Sequence, residues 1–324
     1  MSRKAPIEAV NTPTKPSVSP HVVLALGIFA VASSSLLIRF AQAEVGSLVI
    51  AAYRMALSAL ILIPLTLPRH SGELRGLSRR GVALAALSGV LLAVHFASWI
   101  LSLEYTSVAS SVVLVTTNPL WVALLAPLVL KERLGRGVLL GMLVALAGGV
   151  GVALSDSCTL AASGLACPPW QEFVAGRAFY GNLLALVGAL SGAGYILIGR
   201  ILRPQLSLTA YIFLVYGMAA LVLVALVPFS GQAAFGFSPS SYVYLLLLAV
   251  LPQLIGHSSF NWALAHLPAS YVSIALLGEP VSSIVLATLL LGETPSGFKL
   301  LGAGLILVGI LIASLAPGAQ APDV

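Results

Sequence analysis

The chain contains ten apolar runs, each close to the roughly 20 residues that a helix needs to cross about 30 Å of hydrocarbon. The runs occupy residues 21–43, 47–67, 81–103, 108–130, 135–154, 179–202, 208–229, 242–264, 270–291 and 297–315. Backbone polar groups cannot bond to water in lipid, so a spanning segment is a helix or part of a closed barrel, and barrel strands alternate apolar and polar residues. The solid apolar runs therefore predict an all-α integral membrane protein with ten transmembrane helices.

Composition excludes a water-soluble fold. Hydrophobic residues make up 59% of the 324 positions and charged residues 8%, whereas soluble domains carry about 25% charged residues. The net charge of +6 does not predict a nucleic-acid partner, because the Lys and Arg residues lie in short loops between apolar runs. The first run is longer than the apolar core of a secretory signal, so we predict that it remains as a transmembrane helix.

The distribution of Lys and Arg predicts that both termini are cytoplasmic. With the N-terminus inside, twelve of these residues fall in inner segments, only Arg39, Arg177 and Lys299 fall in outer ones, and Arg54 lies within a helix. Positive residues concentrate on the cytoplasmic side of membrane proteins. The longest internal loop then faces outward. Its cysteines, Cys158 and Cys167, are predicted to form a disulfide in an oxidising envelope, and two free thiols are the alternative.

The chain repeats itself at a spacing of about 161 residues, which divides it into two units. The matching pairs are Gly27 with Gly188, Arg39 with Arg200, Asn118-Pro119 with Glu279-Pro280, Glu132 with Glu293, Gly141 with Gly302 and Gly148 with Gly309. Each unit has five helices, an odd number, so the second enters the bilayer upside down. Such inverted repeats are a mark of secondary transporters, whose equivalent halves can exchange inward-open and outward-open shapes.

The repeat sets the predicted organisation of the chain. We expect a cytoplasmic N-terminal tail over residues 1–20 and a first five-helix repeat over residues 21–154. An external loop over residues 155–178, a second five-helix repeat over residues 179–316 and a C-terminal tail over residues 317–324 follow.

Two corresponding stretches carry a family resemblance. The first runs from Asn118-Pro119 through Lys131-Glu132-Arg133-Leu134 to Gly141 and Gly148, and the second from Gly278-Glu279-Pro280 through Gly292-Glu293-Thr294-Pro295 to Gly302 and Gly309. With Arg54 in the second helix, they resemble the EamA-type members of the drug/metabolite transporter superfamily. The resemblance implies a cavity between two five-helix bundles and export or exchange of metabolites by alternating access. Relatives that carry phosphorylated substrates generally place Lys or Arg deep in the cavity, whereas Arg54 is the only clearly mid-helix cation here. This difference favours amino acids or similar amphipathic metabolites.

Two charged residues within the apolar runs are the first candidates for a substrate site. Glu279 is predicted near the bilayer midplane, where a charged carboxylate costs on the order of 3 kcal/mol. It is interpreted as a substrate-amine or proton site, with a structural ion pair or a neutral acid beside the Pro280 break as the alternative. Arg54 lies at a similar depth, and its guanidinium suits carboxylate recognition. A structural role, including pairing with Glu279, is the alternative for Arg54.

Further candidates are polar or aromatic. His95 and His257 occupy nearly equivalent repeat positions, with Trp99 four residues after His95, so the histidines are predicted to face the cavity beside aromatic rings. His257 and Glu279 are candidates to share a proton, whereas ordinary buried histidines satisfied by neighbours are the alternative. Asn118 precedes a helix-breaking proline, and Tyr195 and Asn261 are polar groups within apolar runs.

The expected partners are a small-molecule substrate and membrane lipid, and a homodimer is left open. We expect no cofactor, no metal site and no enzymatic activity. An intramembrane enzyme and a passive channel are the rival classes. A protease would need a paired constellation such as two aspartates, but Asp156 and Asp323 both lie outside the apolar runs. A channel would show a ring or filter motif more readily than an inverted repeat.

The predicted topology can be tested with reporter fusions. A reporter joined after Arg75 should be active in the cytoplasm, and one joined after Ser163 should be active only outside, because the two positions are separated by an odd number of predicted helices. A cytoplasmic Ser163 would overturn the scheme.

Overall fold

The computed structural model describes residues 18–130, 135–155, 159–161, 164–166, 169, 176–276, 278–291 and 296–315. Cys158 and Cys167, and likewise Glu132 and Glu293, lie outside the described residues. The helices of the first half are α1 (Pro20–Ala32), α2 (Ser34–Ala41), α3 (Ser47–Arg75), α4 (Arg79–Ser102), α5 (Val108–Val115), α6 (Asn118–Val129) and α7 (Arg136–Leu154). A short antiparallel hairpin of β1 (Thr159–Ala161) and β2 (Gly164–Ala166) follows, with Thr159 opposite Ala166.

The second half is also helical. Its elements are α8 (Arg177–Leu202), α9 (Leu208–Leu226) with a 3₁₀ turn (Val227–Phe229), α10 (Pro239–Leu248), a π-helix (Ala249–His257), α11 (Ser258–Ala263), α12 (Ala269–Ala275), α13 (Gly278–Leu291) and α14 (Gly297–Leu315). Within the described residues, eight helical spans are long and apolar enough to cross a membrane. Shorter apolar stretches, Arg136–Gly151 and Leu300–Gly309, lie in α7 and α14. The predicted all-helical, multi-pass architecture is confirmed.

Serine and proline set several helix boundaries. The side chains of Ser78, Ser107, Ser207 and Ser238 each accept a hydrogen bond from a backbone N–H in the first turn of the helix that follows. Proline interrupts two of the predicted spans, because it lacks a donor and its ring clashes with the preceding turn. One break separates α5 from α6 just before Asn118-Pro119, and the other separates α12 from α13 just before Glu279-Pro280.

Helices of the first half pack mainly against helices of the second half. The principal pairs are α3 with α9, α4 with α8, α7 with α14, and α1 with the π-helix and α11. When each helix is replaced by its repeat equivalent, the α3–α9 and α7–α14 pairs are unchanged. The α4–α8 pair becomes the pair that α1 forms with the π-helix and α11. A two-fold relation between two equivalent bodies produces such reciprocal contacts.

Close glycine contacts show this reciprocity in detail. A β-carbon on Gly148 would lie 2.5 Å from the carbonyl oxygen of Gly302, and one on Gly309 would lie 2.5 Å from the carbonyl oxygen of Gly141. These four residues are the two matched pairs of the repeat. Because the later residue of α7 meets the earlier residue of α14, the two helices are antiparallel. Small residues permit backbones to approach this closely, so these glycines serve the packing of α7 against α14.

Two Gly→Ala substitutions on α14 test this contact. Gly309→Ala should lower stability by roughly 1–3 kcal/mol, because the methyl group would overlap backbone atoms of α7. Gly304→Ala is the matched control, because a β-carbon there meets nothing within 4 Å and alanine favours a helix by about 0.5–1 kcal/mol over glycine. Thermal unfolding of the detergent-purified variants should separate them. Equal stability of the two variants would contradict the close packing.

Candidate functional site

One group of buried polar and aromatic side chains lies between the two halves, and we call it the central cluster. Its members are Arg54 on α3, His95, Phe96 and Trp99 on α4, Tyr195 on α8, Gln253 and His257 on the π-helix, and Asn261 on α11. None is more than 8% exposed. Six of the eight residues predicted from the sequence belong to the central cluster, and Asn118 and Glu279 lie beside it.

Arg54 connects four elements of the central cluster. Its Nε donates to Oε1 of Gln253 at 2.8 Å, and its Nη1 donates to the hydroxyl of Ser34 on α2 at 2.7 Å. The guanidinium carbon lies 4.1 Å from the centroid of the Phe96 ring on α4. A desolvated cation over an aromatic face gains about 2 kcal/mol or more. The contacts hold the guanidinium in place, but its Nη2 has no hydrogen-bond partner among the residues that the structure describes.

The two histidines belong to a set of aromatic rings. His95 stacks on Trp99 with ring centroids 6.1 Å apart, and its ring lies 6.2 Å from that of His257. The Phe96 ring lies 5.2 Å from that of His257. The Nδ1 of His95 is 2.8 Å from the carbonyl oxygen of Gly188, and because a carbonyl only accepts, Nδ1 carries the proton. The predicted grouping of histidine with aromatic residues is therefore present in the fold.

A π-helical stretch positions the second-half members of the central cluster. It runs from Ala249 to His257 and contains Pro252, which cannot donate to the helical hydrogen-bond ladder. Short π-helical segments occur frequently at functional sites. This one carries Gln253 next to Arg54 and His257 among the rings. The Nε2 of Gln253 and the Nδ1 of His257 are buried without hydrogen-bond partners.

Asn261 joins the π-helix to α8. Its Nδ2 donates to the hydroxyl of Tyr195 at 2.5 Å and to the carbonyl oxygen of His257 at 2.9 Å. The hydroxyl of Tyr216 on α9 lies 3.3 Å from the same nitrogen. Both tyrosines are fully or almost fully buried, so these bonds satisfy polar groups that lipid or protein interior would otherwise leave unpaired.

Asn118 and Glu279 lie at the two proline breaks. In the orientation that satisfies its amide, Asn118 donates to the carbonyl oxygen of Ala189 at 2.6 Å. A β-carbon on Gly192 would lie 2.9 Å from Nδ1 of His95 and 3.1 Å from the Asn118 amide, so Asn118 borders the histidine side of the central cluster. Glu279 is 7% exposed and lies in the first turn of α13, which packs on α1.

Neither of the direct pairs considered for Glu279 is formed. Within the described part of the chain, no carboxylate lies within 4.0 Å of the guanidinium of Arg54. No hydrogen bond joins Glu279 to His257, whose Nδ1 is unpaired. Ser34 and Gln253 bind Arg54 instead, so opposite charges stand apart within one buried region.

Several residues of this site are not among the eight site residues predicted from the sequence. Gln253 is a polar residue inside an apolar run, directly after Pro252, and this combination is a usable signal. Phe96 adjoins His95, but nothing in the sequence indicates that it supports Arg54. Ser34 and Tyr216 carry no distinguishing pattern. In the described ranges, no group of three or more His, Cys, Asp or Glu side chains is placed to hold a metal ion.

Comparison with known proteins gives the family. The model of the EamA-like transporter family matches residues 19–154 and, a second time, residues 179–315. The chain belongs to this family. It therefore falls in the drug/metabolite transporter superfamily, as the two resemblance stretches predicted, and it is a multi-pass membrane transporter.

Relatives from distant organisms agree with this assignment. An uncharacterized transporter of Archaeoglobus fulgidus is 24% identical over 302 residues, covering 91% of this chain and 96% of the relative. The uncharacterized transporter YyaM of Bacillus subtilis is 24% identical over 271 residues, covering 82% and 83%. One crystal structure of a protein superimposes with a TM-score of 0.70 at 18% identity, covering 91% of this chain and 96% of that chain. This EamA transporter thus shares a known fold.

Two adjacent serines provide a test of how the EamA transporter holds Arg54. Ser34→Ala removes an acceptor from a buried guanidinium and should lower stability by about 1.5–3 kcal/mol. Ser35 is equally buried, but its hydroxyl has no partner, so Ser35→Ala should be nearly neutral. Thermal unfolding of the purified variants measures the difference. Equal losses would show that the bond to Arg54 contributes nothing to stability.

Proposed function

We propose that this EamA transporter carries amino acids or similar small amphipathic metabolites across the cytoplasmic membrane by alternating access, as an exporter. The observation that carries the proposal is the central cluster, which places the guanidinium of Arg54 among aromatic rings between two pseudo-equivalent halves, with the carboxyl group of Glu279 beside it but not in contact with Arg54. Such a site suits a compound that has both charged and apolar parts. Export follows from the family resemblance, which implies export or exchange.

The proposed membrane arrangement has ten spanning helices in two inverted repeats, with both termini in the cytoplasm. The antiparallel pairing of α7 with α14 supports it, because these are the equivalent fifth and tenth helices. The helices α3 and α9 are equivalent too, and they also run antiparallel. Val49 at the start of α3 bonds Gln232 beyond the end of α9, and Glu73 at the end of α3 bonds Ser207 at the start of α9. The Lys and Arg distribution supports the inward termini.

Contacts between the halves support a mechanism with two gates. At one end of α3, Tyr53 donates to the carbonyl oxygen of Ala234 at 3.0 Å, and Glu44 accepts from the backbone N–H of Ser238 at 2.9 Å. At the other end, Glu73 accepts from the hydroxyl of Ser207 at 2.8 Å. Alternating access requires that contacts at one end open while those at the other end hold.

The outer contact at Glu44 has a defined charge state. Hydrogen bonds from the Ser238 backbone, from the Ser238 hydroxyl and from Ser241 place the pKa of Glu44 below its ordinary value. The contribution of this contact is therefore present at neutral pH and is lost only as the pH falls through the lowered pKa.

Lipid is the proposed environment of the outer helix faces. Leu128, Leu289 and Phe29 are 80%, 74% and 66% exposed, and exposed apolar surface of this extent belongs in contact with hydrocarbon. A passive channel and an intramembrane enzyme are the competing functions. Counterflow separates the channel from a carrier, because an open pore cannot couple the movement of one solute to that of another.

The decisive test is counterflow of a labelled amino-acid panel in proteoliposomes, with and without a pH gradient. Glu279→Gln keeps the shape and fixes the neutral form, so exchange should fall at least about tenfold, as expected for loss of a buried charge partner, or should lose its pH dependence. Glu104→Gln is the control, because Glu104 is exposed at the end of α4. A stably inserted Glu279→Gln variant with normal exchange at every pH would show that Glu279 is structural.

A further inference from the structure

The central cluster concentrates polar atoms that have no partner. Among the described residues, the buried side-chain atoms without a hydrogen bond include Nη2 of Arg54, Nε2 of Gln253, Nε1 of Trp99, Nδ1 of His257 and Oδ1 of Asn261. A buried polar group that has no hydrogen-bond partner has lost its hydrogen bonds to water and has gained none in the protein, which costs free energy. Since native interiors satisfy most such groups, a concentration of them in one place points to a ligand that supplies the missing partners.

Two of these atoms belong to one hydrogen-bonded pair. Arg54 donates through Nε to Oε1 of Gln253, which fixes the amide orientation because the reverse orientation would set donor against donor. The unpaired Nε2 is bonded to the same amide carbon as that Oε1. It therefore lies beside the guanidinium, whose Nη2 is also unpaired. Arg54 and Gln253 together present N–H donors that need an acceptor.

We propose that Arg54 and Gln253 form a carboxylate subsite, in which Nη2 of Arg54 and Nε2 of Gln253 each donate to the carboxylate of the transported compound. This inference rests on the proposed transport function and specifies which residues select the substrate. Gln253 is the specificity-determining residue of the subsite. Its amide Nε2 favours a ligand that has an oxygen acceptor and disfavours a ligand group that carries only hydrogen-bond donors.

The surroundings of the subsite favour a single carboxylate on a zwitterion. Glu279 is buried in the first turn of α13, which packs on α1 and on α2, the helix whose Ser34 bonds Arg54. Its carboxyl group is therefore available to receive an ammonium group while Arg54 holds the carboxylate. The rings of Phe96, Trp99 and His257 provide an apolar wall for the rest of the compound. A phosphate ester would bring up to two negative charges to one guanidinium with a carboxyl group nearby, and it is therefore disfavoured.

The wild-type protein can be tested without any substitution. The probes are leucine, leucinamide, which lacks the carboxylate, and isoamylamine, which is leucine without its carboxyl group, each offered in counterflow from proteoliposomes loaded with leucine. A site built to hydrogen-bond one group strongly rejects analogues that lack it. We expect leucine to exchange at least about tenfold faster than either analogue. Equal exchange of leucine and leucinamide would refute the subsite and leave the transport function standing.

Gln253→Glu tests the assigned residue. The new carboxylate would repel the carboxylate of the substrate and pair with Arg54. In proteoliposomes loaded with the same compound that is supplied outside, leucine exchange should therefore fall at least about tenfold, while self-exchange of leucinamide and of isoamylamine is retained or increased. The matched control is Gln205→Glu, which makes the same change at an exposed glutamine and should leave the wild-type preference intact.

The outcomes distinguish a failure of the specificity role of Gln253 from a failure of the proposed transport function. Unchanged leucine preference in a folded Gln253→Glu variant, or equal losses for all three compounds, would overturn the specificity role while wild-type exchange upholds transport. If the wild-type protein exchanges neither these three compounds nor any member of the labelled amino-acid panel, amino-acid transport is refuted and the carboxylate subsite is refuted with it.

Discussion

The burial of one guanidinium organises the centre of this transporter. Arg54 is fully buried in a protein whose surroundings are hydrocarbon, so every favourable contact must come from the chain or from a ligand. Ser34, Gln253 and the face of Phe96 supply these contacts from both halves. They tie α3 to α2, α4 and the π-helix. The partner that a buried arginine usually takes, a carboxylate in direct contact, is absent among the described residues, and the central cluster therefore stays positively charged next to its aromatic rings.

Around this charge, the scaffold is close to two-fold symmetric. The matched residues Gly27 and Gly188 show how far the symmetry extends. A β-carbon on Gly27 would lie 3.2 Å from the carbonyl oxygen of Gly256, and one on Gly188 would lie 3.3 Å from that of His95, the repeat equivalent of Gly256. Because the tightest helix contacts are between small residues, the proposed alternating-access mechanism would need few bulky side chains to rearrange as one half moves against the other. This geometry suits two interconverting arrangements of similar energy.

The sequence predicted the scaffold better than the site, for a physical reason. Helix length, apolar content and proline position are local properties, so the spans and the breaks before Asn118 and Glu279 could be predicted from single stretches. Similar depth in the bilayer suggested that Arg54 and His257 each lie near Glu279, and the repeat suggested that His95 and His257 face one cavity. The Arg54–Gln253 bond joins residues 199 positions apart, and it depends on the rotation of α3 and on a π-helical turn. No local pattern encodes that rotation, so the sequence left the pairing of Arg54 with Glu279 open, and among the described residues no such ion pair is formed.

The site departs from the symmetry of the scaffold, and this departure carries the specificity. The repeat partner of the carboxyl group at Glu279 is the neutral amide of Asn118, and Arg54 has no cationic counterpart in the second half. A symmetric pair of halves exchanges shapes without preferring either orientation of its cargo. The cation from the first half and the acid from the second lie on different sides of the space between them, so a bound compound with two opposite charges would have one preferred orientation. A zwitterion can match both charges at once, whereas a simple amine or a simple acid leaves one of them unpaired. In the proposed mechanism, selectivity and alternation thus arise from different residues, and we expect substitutions at the charged positions to alter substrate choice while the helix contacts between the halves remain.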